Sequence, residues 1–159
     1  MKTPKPPRLS AVEMTEVILP NHANPLGNML GGRVLHYIDM AAAVAAIRHA
    51  GFPCVTASFD SVDFLTPIHV GEACILRAKV TWTGRSSLEV YVEVLAENLM
   101  TGQRRHATTA FTTFVAIDPA TGQPTEVPPV APETEEETRM FETAATRRAG
   151  RLARRASRP

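Results

Sequence analysis

The chain has 159 residues, 44% of them hydrophobic, and a formal net charge of +1, which suits one domain with a buried core and some tail. So small a net charge excludes a global attraction to nucleic acid, and no apolar run approaches the ~18 residues of a membrane span. The lysines and prolines after Met1 lead into no apolar stretch, so the N-terminus does not read as a secretory signal and a cytoplasmic location is expected.

Residues 1–11, MKTPKPPRLSA, are proline-rich and polar, the composition of a flexible arm. Glu13 to Leu19 ends in the apolar run VIL and stops at Pro20, which suits a short strand. Asn21 to Leu30 reads as a loop. From Gly32 onward Val34, Leu35, Ile38, Ala42, Ala45 and Ala46 recur at steps of three and four, a helix that Gly51 would stop. Its many alanines allow close approach, as a helix wrapped by a sheet requires.

Strands follow. Between Cys54 and Thr66 the apolar alternation changes phase, which predicts a bulge near Asp60-Ser61. Cys74 to Trp82 and Leu88 to Glu97 alternate apolar with charged residues, an antiparallel hairpin with one wet face, and Arg104 to Asp118 supplies a further strand. One early helix and several long antiparallel strands make an α+β layout with the helix packed on one sheet face. The core domain is expected over 12–118, a Pro-rich linker over 119–132, and an acidic-to-basic tail, helical or partly disordered, over 133–159. Arg147, Arg148, Arg151, Arg154, Arg155 and Arg158 would share one face of a tail helix. A solvated end, a phosphate clamp and weak RNA contact are the readings of that tail; the lack of interleaved aromatics argues against base stacking, so no nucleic-acid partner is expected.

The stretch Asn21 to Ile47 carries the chemistry. Asn24 and Asp39 bracket Gly31-Gly32, where a helix start would leave N–H groups unpaired and no side chain would block a ligand. The N–H of Gly31 or Gly32 is thus a candidate oxyanion donor. Asp39 falls about two turns into the helix with Leu35, Ala42 and Ala43 as neighbours, and desolvation there would disfavour its charge and raise its basicity. Asn24 precedes Pro25 and, by composition alone, is equally a turn residue. His22, His36 and His49 lack metal-site spacing, and Cys54 and Cys74 read as buried free thiols.

The Asn-rich loop, Gly31-Gly32, Asp39, the strand VDFLTPIHVGE and the segment EVYVEVLAENLMTGQRRHATTAFTTFVAID together resemble the hot-dog fold acyl-CoA thioesterases, in their cytosolic acyl-CoA hydrolase branch, over roughly residues 12–118. The resemblance implies a long central helix wrapped by a five- or six-stranded antiparallel sheet, and paired domains whose sheets run continuous. It implies an acyl-CoA substrate, Asp39 as general base or nucleophile, and Asn24 holding the attacking water or the thioester carbonyl. Arg85, Ser86 and Ser87 match a loop that contacts the nucleotide in relatives, and Thr66 is a further substrate-binding position. The resemblance also implies a homodimer with shared active sites, assembled as a trimer of dimers, needing no metal or redox cofactor and no membrane. The alternative is a non-catalytic acyl-CoA-binding regulatory domain, although no helix-turn-helix pattern flanks it. A hydratase of the same fold would need a histidine after the asparagine, and ANPLGN offers none.

Overall fold

The computed structural model describes residues 2–159. Helix α1, Gly31–Ala50, ends at Gly51, whose φ of 72° lets its N–H reach the Ile47 carbonyl at 2.8 Å. Ala41, Ala42, Ala45 and Ala46 form a fully buried stripe, and their small side chains let the sheet close tightly around the helix. Strands β1 (Val12–Val17), β2 (Cys54–Phe59), β3 (Ala73–Thr83), β4 (Ser87–Glu97) and β5 (Arg104–Ala116) make one antiparallel sheet in the order β1-β3-β4-β5-β2. All five strands pack on α1. The layout is the one the resemblance implied, with five strands.

Two register breaks decide which side chains face the helix. In β2 the ladder shifts between Thr56 and Ser58, with Thr56 opposite Phe114 and Ser58 opposite Thr113. Phe114 belongs to the core, so the extra residue, Ala57, turns Thr56 toward α1 and Ser58 toward the outer face. The bulge thus lies before the expected Asp60-Ser61, and β2 stops at Phe59 rather than Thr66. Beyond Phe59 the chain runs beside β5 on isolated bonds, from the Asp60 N–H to the Phe111 carbonyl and from the Leu65 N–H to the Ala107 carbonyl, both 3.0 Å. A change of phase in the sequence shows that an extra residue exists, and Val62 and Phe64 kept the alternation going after pairing had ceased.

The second break, between Val80 and Trp82, sets Trp82 opposite Glu89. Glu89 in turn pairs with Thr113, so Trp82, Glu89, Thr113 and Ser58 form a row across the outer face. Helix α2, Glu135–Ala156, lies over that row. It starts with a capping box in which Glu137 N–H donates to Thr134 Oγ1 at 3.1 Å and Thr134 N–H to Glu137 Oε2 at 3.2 Å. Its acids come first and its arginines last, in keeping with the helix dipole.

The face expected to be wet is therefore covered around Glu89, while Arg77 on the same face stays exposed. Glu89 is 0% exposed; Arg147 donates to its two oxygens at 2.7 and 3.0 Å and Arg151 adds a bond of 2.9 Å. The Arg147 guanidinium also sits 3.9 Å from the Phe111 ring centroid. Alternating charge in a strand reads as solvent contact unless counter-charges arrive from elsewhere, and here they come from the far end of the chain.

The ends of the chain also differ from the expected arm and linker. The Lys5 N–H donates to Pro129 and the Ala131 N–H to Lys5, at 2.8 and 3.0 Å, and Val127 and Val130 are buried in the core. Prolines remove donors, but the N–H groups of Lys5 and Ala131 each find a carbonyl on the opposite segment. Met1 lies outside the described residues. Among the described residues, no helix is long and apolar enough to cross a membrane.

Candidate active site

Asp39 emerges half-buried from the middle of α1 and meets β2. The Thr56 hydroxyl donates to Asp39 Oδ1 at 2.6 Å, a charge-assisted length. That bond leaves Oδ2 of Asp39 without a partner among the described residues. Reasoning from sequence missed Thr56, because a threonine inside a strand reads as an ordinary β-former.

Asn24 is a turn residue with one side committed. Its Oδ1 accepts the N–H groups of Leu26 at 3.0 Å and Asn28 at 3.1 Å, closing an Asx turn. The Nδ2 end has no partner among the described residues. Behind the turn, Asn28 Oδ1 lies 2.8 Å from His69 Nδ1, and the His69 N–H donates to Glu72 Oε1 at 3.2 Å. Arg105 grips both oxygens of Glu72 at 2.8 and 3.0 Å, and these bonds hold the Glu72 carboxyl below its ordinary value of 4.5. No hydrogen bond joins Asn24 to Asp39 within the chain, among the described residues.

The two glycines play different parts. Leu30 caps α1 without a side-chain bond, and neither Gly31 nor Gly32 N–H has an acceptor among the described residues. A Cβ on Gly31 would stand 3.3 Å from Phe64 Cζ, whereas one on Gly32 would meet nothing within 4 Å. Gly31 lines an apolar cavity of about 290 Å³ with Met29, Val34, Phe64, Thr66 and Ala107. Thr66, expected to touch substrate, is thus on its wall.

Arg85, Ser86 and Ser87 lie in the hairpin between β3 and β4, with their carbonyls accepting from Val127, Ala116 and Gly84 respectively. Ser87 pairs with Val115 on the outer face and lines a groove under α2, so the structure does not bring it to the inner face where Thr56 meets Asp39. The thiols offer no nucleophile, since burial pushes Cys54 up to about 11 and Cys74 up to about 12.

Comparison with known proteins places this geometry in a family. Residues 26–103 match the profile of the Thioesterase superfamily. Over 138 residues the chain is 47% identical to an uncharacterized acyl-CoA thioester hydrolase of Bacillus subtilis, covering 87% of this chain and 80% of that protein. The chain belongs to the thioesterase superfamily.

Solved members of the superfamily overlay almost the whole chain. A hexameric acyl-CoA thioesterase in its apo form matches at 47% identity with a TM-score of 0.93, over 98% of this chain and 99% of that one. The acyl-CoA hydrolase of Staphylococcus aureus, solved with butyryl coenzyme A and coenzyme A, matches at 38% identity and a TM-score of 0.90, over 96% and 92%. That hydrolase has also been solved with an asparagine, an aspartate or a threonine replaced by alanine. Those three positions are separated by fifteen and seventeen residues, the intervals that separate Asn24, Asp39 and Thr56 here.

Proposed function

We propose that the chain hydrolyses acyl-CoA thioesters to a free acid and coenzyme A, with Asp39 as general base. The observation that carries the reading is the Thr56 to Asp39 hydrogen bond of 2.6 Å at the start of a site flanked by unpaired helix N–H groups. Thr56 holds Oδ1, and Oδ2 takes a proton from water as its oxygen attacks the thioester carbon. The oxyanion so formed is met by the Gly31 N–H, reinforced by the dipole of α1. Collapse breaks the C–S bond, and the proton on Asp39 passes to the departing thiolate. Asn24 contributes a donor, since its Oδ1 is held in the turn and only Nδ2 is left without a partner among the described residues; it fits the thioester oxygen or the attacking water. The apolar cavity at Gly31 and Phe64 takes the acyl group, with Thr66 on its wall.

The reading requires two protomers. Met40, Val44 and Ile47 of α1 and Val55 of β2 are exposed apolar side chains, and among the described residues β2 pairs only with β5, which leaves one strand edge and one helix face for a second copy. A homodimer joined there brings the Asn24 turn of one protomer toward Asp39 of the other and gives two equivalent sites. A trimer of such dimers is in line with the hexameric relative. The chemistry calls for no metal or redox cofactor, and a cytoplasmic location belongs to the same reading.

Steady-state hydrolysis of acyl-CoAs from acetyl to palmitoyl tests this, with turnover in a defined chain-length range expected. Tight binding of every acyl-CoA without release of free thiol would overturn it in favour of a regulatory binding domain. A single turnover in heavy-oxygen water should label the product acid alone; label on Asp39 would mark direct attack by the carboxylate.

A further inference from the structure

The Asn24 turn is braced by a chain of side chains that starts on β5. Arg105, the second residue of that strand, grips both oxygens of Glu72 and also donates to the Pro67 carbonyl at 3.0 Å. Glu72 is buried. Its Oε1 accepts the backbone N–H of His69 at 3.2 Å, and the ring Nε2 of His69 lies 3.8 Å from the same oxygen. The Glu72 N–H closes the turn on the His69 carbonyl at 3.0 Å. His69 is thus fixed at its backbone although its side chain is 54% exposed.

The His69 ring makes the last link. Its Nδ1 is 2.8 Å from Asn28 Oδ1, and because an amide oxygen only accepts, Nδ1 carries the proton and donates. Backbone bonds flank the pair: the Met29 N–H meets the Ile68 carbonyl at 2.7 Å and the Val70 N–H meets the Gly27 carbonyl at 3.0 Å. Those bonds lay the two segments side by side, and the ring fixes the Asn28 side chain between them. Asn28 matters because its N–H is one of the two that Asn24 Oδ1 accepts. Two N–H groups on one amide oxygen set the plane of that amide, so the direction of Asn24 Nδ2 follows the position of Asn28. A displacement of about 1 Å is enough to spoil a donor whose value lies in its aim.

The fold does not depend on the His69–Asn28 bond. The turn is already closed by the Asn24 N–H on the Asn28 carbonyl at 2.8 Å and by the Gly27 N–H on the Asn24 carbonyl at 3.0 Å. His69 also takes no part in the hydrophobic core, and water competes for both groups of so exposed a bond, which leaves it little net stability. We propose, on the reading that Asn24 is a catalytic donor, that His69 is a positioning residue for the hydrolysis: it acts through Asn28 to aim the Nδ2 of Asn24, and the Arg105–Glu72 pair is the mount that holds it.

His69→Leu removes the donor and keeps much of the bulk, and Asn28→Ala removes the acceptor while its backbone N–H stays in the turn. Each should lower kcat for an acyl-CoA by about 10-fold, with KM little changed and the thermal midpoint held. His69→Asn keeps an N–H donor on the nitrogen bonded to Cγ and should recover most of kcat, a rescue that a packing role would not give. In an Asn24→Asp background His69→Leu should cost no further activity, because the donor it aims is already gone. Full activity in Asn24→Asp overturns the reading of Asn24 and the role of His69 with it. With Asn24→Asp impaired, wild-type kcat in both His69→Leu and Asn28→Ala overturns the role of His69 alone. So does a His69→Leu loss that multiplies undiminished onto that of Asn24→Asp, or one that tracks a lowered thermal midpoint and persists in His69→Asn.

Discussion

Thr56 Oγ1 stands 2.6 Å from Asp39 Oδ1, so the strand fixes one oxygen of the carboxylate and leaves the other without a partner among the described residues. Replacing Asp39 by Asn keeps the shape and removes the base, and turnover of an acyl-CoA should fall at least ~100-fold with the fold intact. Thr56→Val removes the orienting hydroxyl while Asp39 remains. It should lower kcat by about 10-fold with little change in KM, because Thr56 acts through the carboxylate. Wild-type kcat in both variants would end the assignment of Asp39.

The Asx turn at Asn24 separates structure from chemistry within one side chain. Asn24→Asp retains an oxygen to accept the Leu26 and Asn28 N–H groups but loses the Nδ2 donor. The thermal midpoint should hold while kcat/KM falls by roughly 100-fold, the scale for loss of one oxyanion donor. Asn24→Ala loses both, and should lower stability by about 1 kcal/mol as well. If Asn24→Asp kept full activity, the Asn24 amide would have no catalytic part.

The glycines give a paired test. Gly31→Ala brings a Cβ to 3.3 Å from Phe64 Cζ; the ring is 53% exposed and can yield, so the fold should survive while the cavity it walls is reshaped. Gly32→Ala meets nothing within 4 Å and gains helix propensity of up to about 1 kcal/mol. Chain-length preference in the hydrolysis screen should therefore move in Gly31→Ala and remain in Gly32→Ala. An identical preference in both would remove Gly31 and Phe64 from the acyl pocket.

Much of this was legible in local pattern. The periodicity of Val34, Leu35, Ile38 and the alanines marked α1, Gly51 marked its end, and alternation marked β3, β4 and β5. Asp39 stood out as a carboxylate among apolar neighbours. What escaped depended on register and on distance along the chain. Thr56 became a site residue only because Ala57 is the extra residue of a bulge, a choice made by pairing with Phe114 and Thr113. The burial of Glu89 depended on arginines that follow it by 58 and 62 positions. Lys5 and Val130 likewise pair across nearly the whole chain, so composition alone suggested two loose segments.

His49 provides a pH test. It is 1% exposed; its Nε2 donates to the Pro128 carbonyl at 3.0 Å and its Nδ1 faces the Ser10 hydroxyl at 3.4 Å. Burial, with Lys5 nearby adding repulsion, outweighs the Pro128 bond and lowers the histidine from its ordinary 6.5. The unfolded chain therefore takes up a proton near pH 6.5 that the folded chain refuses. Stability is fully present above that pH and declines as pH falls through it, levelling off below the folded-state value. The urea midpoint should drop between pH 7 and pH 5 in the wild type and stay flatter in His49→Gln. Parallel curves for the two proteins would show that another group sets this slope.

The Glu89 network should fail in a non-additive way. Arg147 and Arg151 both bond to Glu89, so Arg147→Ala leaves the buried carboxylate one guanidinium and costs about 1.5–3 kcal/mol, the worth of hydrogen bonds to a charged group. Arg151→Ala alone leaves Arg147 with two bonds and costs a similar amount. Removing both leaves a fully buried charge beneath α2 with the Thr81 hydroxyl but no counter-charge, a penalty that comes on top of the lost hydrogen bonds. The double variant should therefore lose more than the two single losses added together, a coupling that urea denaturation of the four proteins measures directly. Additive losses would mean that each arginine acts on Glu89 independently of the other.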